Sequence, residues 1–222
     1  MDARALDHIA LWVADRDALA DFVCAHAGMH VIDRTDAFTL VGADARRGKL
    51  TLFAAEGPRA PGPLERVVLR VSDLERAARV LPAGLDPAAF EAPEGLGLGL
   101  VEVPDTDVEY DIDHVVLRVP EPATAREALT ALGLVPADGD RLDVGDKHLR
   151  LVRGETAPAE RPLLNHIALL VESGQEQLDA ARAQGIEIAE IRDAANTFAF
   201  FVWGPDRIQL EYVEHKPEFS LT

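Results

Sequence analysis

The sequence predicts an α+β fold built from four tandem βαβββ modules that associate in pairs. Three observations predict it. A strand-like octad recurs four times, a capped helical run follows each copy, and short segments with a period of two follow each helix. The copies are "LDHIALWV" from Leu6, "LERVVLRV" from Leu64, "IDHVVLRV" from Ile112 and "LNHIALLV" from Leu164. Each runs aliphatic, polar, His or Arg, then β-branched or aliphatic, the composition of a largely buried strand. Recurrence of this kind marks a repeat architecture, here with units of about 40 to 55 residues.

The elements follow in order. After the first copy, Asp15 or Asp17 can cap a helix that ends near Gly28, and "FTLVG" and "GKLTLFA" alternate as strands. After the second, Ser72 and Glu75 read as a capping box, Gly84 as the helix end and "LGLGLVEV" as a strand. In the third, Pro122 and Thr124 open a helix that stops near Gly133, before "DRLDVG" and "KHLRLV". In the fourth, Ser173 and Glu176 form a second capping box, Gly185 ends the helix, and "TFAFFVW" and "IQLEYVE" follow. Glycine at these ends supplies the left-handed conformation that terminates a helix. Segments 56–63, 103–111 and 153–162 are rich in proline and charge and read as linkers. One module cannot cover the concave face of its own sheet, so modules must pair. Chain neighbours usually pack together. The expected units are therefore modules 1 and 2 in residues 1–107 and modules 3 and 4 in residues 108–222.

Charge and cysteine usage narrow the function. With 39 acidic against 22 basic residues the formal net charge is -17, which excludes a partner that needs a basic face, such as nucleic acid or an anionic membrane. Cys24 is the single cysteine, so no intrachain disulfide can form, and a reducing compartment is expected. The start "MDARALDHIALWV" lacks the positive charge of a signal peptide, and no apolar run approaches the roughly 18 residues of a membrane span. The expectation is a cytoplasmic protein acting on a small-molecule substrate, with homo-oligomer formation left open.

Four βαβββ modules, with His third in the "xDHxxL" strands and Glu in the closing "QLEYV" strand, resemble the vicinal oxygen chelate superfamily. Its members include glyoxalase I, bleomycin-resistance proteins, fosfomycin-resistance enzymes and type I extradiol ring-cleavage dioxygenases. The resemblance runs from about Leu6 to Glu214 and is more specific for fold than for reaction. It implies that each pair of modules forms an incompletely closed, eight-stranded barrel with a metal inside the cup. Ligands in this superfamily fall on the first and last strands of a module. In modules 3 and 4 those positions are His114, Arg150, His166 and Glu211. Arg150 cannot bind a cation, which leaves His114, His166 and Glu211 as the implied metal ligands, the facial triad of non-haem Fe(II) oxygenases. In modules 1 and 2 they are His8, Thr51, Arg66 and Glu102. There Arg66 is expected to pair with Glu102 and plug an empty cup, and His8 reads as structural. If module 1 packed against module 4 instead, His8, His166 and Glu211 would form an equivalent triad.

Among these relatives the chain is most similar to a shortened two-domain extradiol dioxygenase. The segment "DAANTFAFFVWGPDRIQLE" keeps the turn proline, Pro205, but has Arg207 where glycine is usual and Phe201 where tyrosine is usual. No histidine lies between Ile191 and Trp203. The proton relay is thus altered, and His148 or Tyr212 is the candidate to replace it. The resemblance implies an Fe(II)-dependent dioxygenase acting on a small, oxygen-chelating, catechol-like substrate, with Mn(II), Zn(II) or Ni(II) as alternative metals. Two other readings stand beside it. One is a non-redox isomerase, lyase or transferase of the glyoxalase or fosfomycin-resistance kind, glyoxalase I being similar to a His/Glu/His/Glu site. The other is a metal-free binding protein of the bleomycin-resistance kind.

Overall fold

The computed structural model describes residues 1–104, 106, 109–156, 160–217 and 219. Module 1 comprises β1 (Ala5–Val13), α1 (Arg16–His26), β2 (His30–Arg34), β3 (Phe38–Gly42) and β4 (Lys49–Ala54). Module 2 is trimmed to β5 (Leu64–Val71), α2 (Leu74–Arg79), a two-residue β6 (Phe90–Glu91) and β7 (Gly97–Glu102). Module 3 holds β8 (Tyr110–Val119), α3 (Pro122–Ala131), β9 (Val135–Pro136), β10 (Arg141–Val144) and β11 (Lys147–Arg153). Module 4 holds β12 (Leu164–Leu170), α4 (Gly174–Ala183), β13 (Ile188–Asp193), β14 (Thr197–Trp203) and β15 (Gln209–His215). The α+β class and the modular order are those predicted. No described helix is long and apolar enough to cross a membrane.

Local chemistry explains the helix boundaries. Asp15 caps α1 by accepting from the Ala18 N–H at 2.9 Å, and Ser173 caps α4 through the Glu176 N–H at 3.3 Å. At α2 the cap is Asp73, which accepts from Arg76 N–H at 2.8 Å, one residue beyond the expected Ser72. A carboxylate is a stronger acceptor than a hydroxyl and also favours the positive helix end. Gly28, Gly84, Gly133 and Gly185 all have positive φ, as their terminating role requires. Gly28 has a second constraint: a Cβ there would stand 2.0 Å from the Tyr110 ring. The end of module 1's helix therefore rests directly on the first strand of module 3.

The pairing of modules departs from the chain-neighbour expectation. One sheet runs β13-β14-β15-β12-β1-β4-β3-β2 and the other β6-β7-β5-β8-β11-β10-β9. Module 1 thus joins module 4 through an antiparallel β1–β12 seam, with Ala10 opposite His166 and His8 opposite Ala168. Modules 2 and 3 join through β5 and β8. The expected division into modules 1 with 2 and 3 with 4 is corrected on this point; its boundary at 107/108 itself lies outside the described residues. The first linker explains part of the outcome. Pro58, Pro61 and Pro63 stiffen it, and it runs beside the linker before β12, with Leu163 N–H donating to the Ala60 carbonyl at 2.7 Å. It therefore carries the chain from one sheet to the other instead of folding module 2 back on module 1.

Alternation sets the two faces of each strand. Ile9, Leu11 and Val13 of β1 join Leu19, Ala20 and Val23 of α1 in the core, while His8, Ala10 and Trp12 take the opposite, cup-lining face. The same core continues through both sheets. A buried ion pair also joins them: Lys147 Nζ reaches Asp111 Oδ1 at 2.8 Å and the Leu6 carbonyl of β1 at 3.4 Å. Lys147→Ala should destabilise the protein by about 3–5 kcal/mol in urea denaturation, because it strands the buried Asp111 carboxylate. A double change to Lys147→Met and Asp111→Leu should recover much of that loss; equal loss in both variants would contradict the role given to the pair.

Candidate metal centre

Four equivalent cup positions can be read from strand register. His8 stands two residues before Ala10, which lies opposite Thr51; His166 stands two before Ala168, which lies opposite Glu211. In the second sheet, Arg66 stands two before Val68 opposite Gly99, and His114 two before Val116 opposite Arg150. The first cup therefore gathers His8, Thr51, His166 and Glu211. The second gathers Arg66, Gly99, His114 and Arg150.

In the first cup three acceptor atoms converge. His8 Nε2 lies 3.2 Å from His166 Nε2 and 3.3 Å from Glu211 Oε2, and His166 Nε2 lies 2.9 Å from the same oxygen. The rings' other nitrogens fix their tautomers. His8 Nδ1 contacts the Asp7 carboxylate at 2.8 Å, an acceptor only, so it must carry the proton. His166 Nδ1 donates likewise to Asn165 Oδ1 at 2.9 Å. Each Nε2 then faces the other and the Glu211 carboxylate. Burial drives the His166 imidazole below its ordinary pKa, against the pull of Glu211. Burial alone would raise the Glu211 carboxyl, but the adjacent His166, and then His8, bring it below the usual carboxylate range. Those directions favour a neutral His166 imidazole and an ionised Glu211 carboxylate, the forms in which such groups bind metal.

Three such atoms this close need a proton or a metal ion among them. Their spacing suits the latter: two donors at right angles on a metal with bonds of about 2.1 Å lie about 3 Å apart. The residues present thus fit the metal that the sequence resemblance implies, with Thr51 as a neutral group at the fourth position.

A polar network supports the site from behind. A bulge at Asp7 turns its carboxylate inward, where it accepts from Lys49 Nζ at 2.9 Å and His215 Nε2 at 3.1 Å as well as from His8. Burial alone would raise Asp7, but Lys49, His215 and His8 hold it well below the usual range. Asp7, Asn165, Lys49 and His215 were not singled out from the sequence, and His215 sits inside the network. The signal for two of them was present: in three of the four octads Asp or Asn precedes the histidine. The triad opens into a cavity of about 330 Å³ with Phe38, Phe53, Phe201 and Phe219 in its walls. Glu211 is delivered by the Pro205 turn, where Asp206 and Arg207 both take left-handed conformations and the Arg207 guanidinium lies 5.3 Å from the Trp203 ring centre.

Several expected roles are corrected. His114 belongs to the other sheet, so the structure brings His166 and Glu211 together with His8, not with His114. His114 instead stacks face to face on His148 at 4.4 Å and 14°. Parallel rings direct their in-plane lone pairs side by side, not to a common point, so this pair is a poor chelate. His148 therefore does not face the His166 cup. Tyr212 alternates with Glu211 to the opposite face, where it is fully buried, stacks on Phe200 at 4.9 Å and donates to the Leu132 carbonyl. Burial pushes its hydroxyl pKa up, which suits a core anchor and not a proton relay. Arg66 forms no pair with Glu102, which lies opposite Val71 on an exposed position. Its side chain runs over Gly99, where a Cβ would approach Arg66 Cδ to 3.1 Å.

Comparison with known proteins agrees with this architecture. Residues 5–91 match the model of the Glyoxalase/Bleomycin resistance protein/Dioxygenase superfamily. No curated protein matches the chain in sequence. Among solved structures, a "putative dioxygenase" of Bacillus subtilis subsp. subtilis str. 168 is similar at 17% identity and a TM-score of 0.77, covering 98% of this chain and 87% of that one. Glyoxalase I from Zea mays is similar at 16% identity and a TM-score of 0.72, covering 95% and 92%. The cppA protein of Streptococcus pneumoniae TIGR4 is similar at 14% identity and a TM-score of 0.66, covering 96% and 98%. At such identities the likeness is one of fold. Over residues 5–91 the family match agrees with the resemblance read from the sequence, and the solved structures agree with the fold it implies.

The second cup has a pH signature of its own. Burial, then the charges of His114 and Arg141, lower the His148 pKa from 6.5 to about 4. The unfolded chain takes up this proton near 6.5 and the folded chain only near 4, so the unfolded state binds more protons between those values. Stability should fall on acidification from 6.5 to 4, and His148→Gln should flatten part of that fall in denaturation midpoints taken across the range. An unchanged slope would refute the assignment.

Proposed function

From a chain with the fold of the glyoxalase, bleomycin-resistance and dioxygenase proteins, we propose a metal-dependent vicinal oxygen chelate enzyme acting on a small oxygen-chelating molecule. His8, His166 and Glu211 hold one divalent metal. The finer reading is an Fe(II)-dependent, extradiol-type dioxygenase. The observation that carries it is the convergence of two imidazole nitrogens and a carboxylate oxygen, 2.9–3.3 Å apart, in a cavity with four phenylalanines in its walls. Two imidazoles and one carboxylate suit Fe(II) with positions left open. Thr51 at the fourth position brings no second carboxylate, which counts against the His/Glu/His/Glu set of the glyoxalase reading.

When bound, such a metal supplies Lewis acidity and, as Fe(II), redox chemistry with O₂. The chain's own residues do the rest. Asp7 and Asn165 hold the two imidazoles in the tautomer that aims Nε2 inward and resist their rotation. Phe201 packs edge-on against His166 at 5.2 Å and, with Phe53 at 6.3 Å, keeps water from the ring's flanks. His215 lines the same cavity and rests on Asp7, so it is the imidazole placed to hold or pass a proton there. It takes the role for which His148 and Tyr212 are misplaced.

Metal analysis of protein purified anaerobically without chelators should find one equivalent per chain, as iron. His8→Ala and His166→Ala should each abolish it, and His114→Ala should retain it. Added metal should raise the melting temperature of the wild type and leave that of His166→Ala unchanged. Loss of metal in His114→Ala but not in His8→Ala would sink the assignment. Asn165→Ala frees the His166 ring without removing a ligand. It should weaken metal binding in chelator competition by about tenfold to a hundredfold, with little change in the urea midpoint of the metal-free protein.

A further inference from the structure

The cavity's charged groups point to more than metal chelation. Lys49 is spent on Asp7, and His215 is held by the same carboxylate. Arg192, on edge strand β13, is the remaining cation of the wall. Its guanidinium lies 5.1 Å from the Phe201 ring centre, and Phe201 in turn lies 5.2 Å from His166. The guanidinium therefore stands one phenyl ring away from a metal ligand. Glu190 grips one edge of it, through Nε at 2.7 Å and Nη2 at 3.2 Å. Among the described residues nothing bonds Nη1, so the second edge, formed by Nη1 and the other Nη2 hydrogen, is uncommitted. A guanidinium has five N–H donors, and Glu190 uses two of them.

Glu190 thus serves as a tether that fixes the orientation of a planar fork on an otherwise exposed strand. A fork held this way loses little entropy when it takes up a second carboxylate. The phenylalanine walls suit a flat apolar body between the two ends.

Resting on the metal reading above, we infer that the ligand of this cavity is a small, flat, anionic molecule. Its vicinal oxygens face the triad, and a carboxylate at its far end docks on the free edge of Arg192.

The test compares two probes on cobalt-loaded protein, 3,4-dihydroxybenzoate and catechol, which share the chelating oxygens and differ in the carboxylate. Calorimetric titration should show the carboxylated probe binding about tenfold or more tighter, as a charge-assisted fork would provide. Arg192→Leu should reduce that preference to within twofold while cobalt stoichiometry stays at one per chain. Arg192→Lys should recover only part of it, since an ammonium keeps the charge and loses the fork. Equal affinity of the wild type for both probes, or a preference that survives Arg192→Leu, would overturn the inference and leave the metal reading intact. Failure to load cobalt at all would instead overturn the metal reading.

Discussion

The antiparallel seam between β1 and β12 is the constraint on which the site depends. It sets Ala10 opposite His166 and His8 opposite Ala168, so each histidine leans across the seam toward the other. The parallel neighbours β4 and β15 then place Thr51 and Glu211 at matching depth on either side. A shift of one residue would turn every one of these side chains to the core. Register here is held by what lies on the other face: Ile9, Leu11, Ile167 and Leu169 are all fully buried. Hydrophobic packing on one side of the sheet therefore fixes donor spacing on the other.

The two cups show how the same scaffold separates two kinds of chemistry. His8, His166 and Glu211 collect between modules 1 and 4, and Arg66 and Arg150 collect between modules 2 and 3. The opposite pairing would have placed Arg150 beside Glu211 and Arg66 beside His8. Each arginine would then stand among the acceptor atoms. The pairing found keeps them away from the acceptors, and it also lets His215 of β15 meet Asp7 of β1 within one buried network. That network is costly to bury and is tolerated because each of its charges has a partner.

The altered relay near Phe201 takes on a physical meaning in this setting. Phe201 lies beside Glu211 across the β14–β15 ladder and edge-on to His166. A hydroxyl there would have reached into the site; a phenyl ring seals its flank and carries Arg192 on its outer face. The titratable groups absent from β14 stand instead on β1 and β15, where His215 contacts Asp7.

Much of this was legible in the residues themselves. Four octads, their caps and their terminating glycines determine the modules, because strand alternation and helix capping act over a few residues and need no distant partner. His166 and Glu211 could be named as cup-facing for the same reason. Which octad meets "LNHIALLV" could not be read, since "LDHIALWV" and "IDHVVLRV" carry the same pattern and offer β12 equally good faces. Tertiary structure decided it, with a stiff proline linker that runs beside the linker before β12. It likewise placed Tyr212 in the core and His148 in the other sheet, and it assembled Asp7, Lys49 and His215 from strands far apart in sequence. Local chemistry determines what each strand can offer; only long-range packing determines which strands face one another.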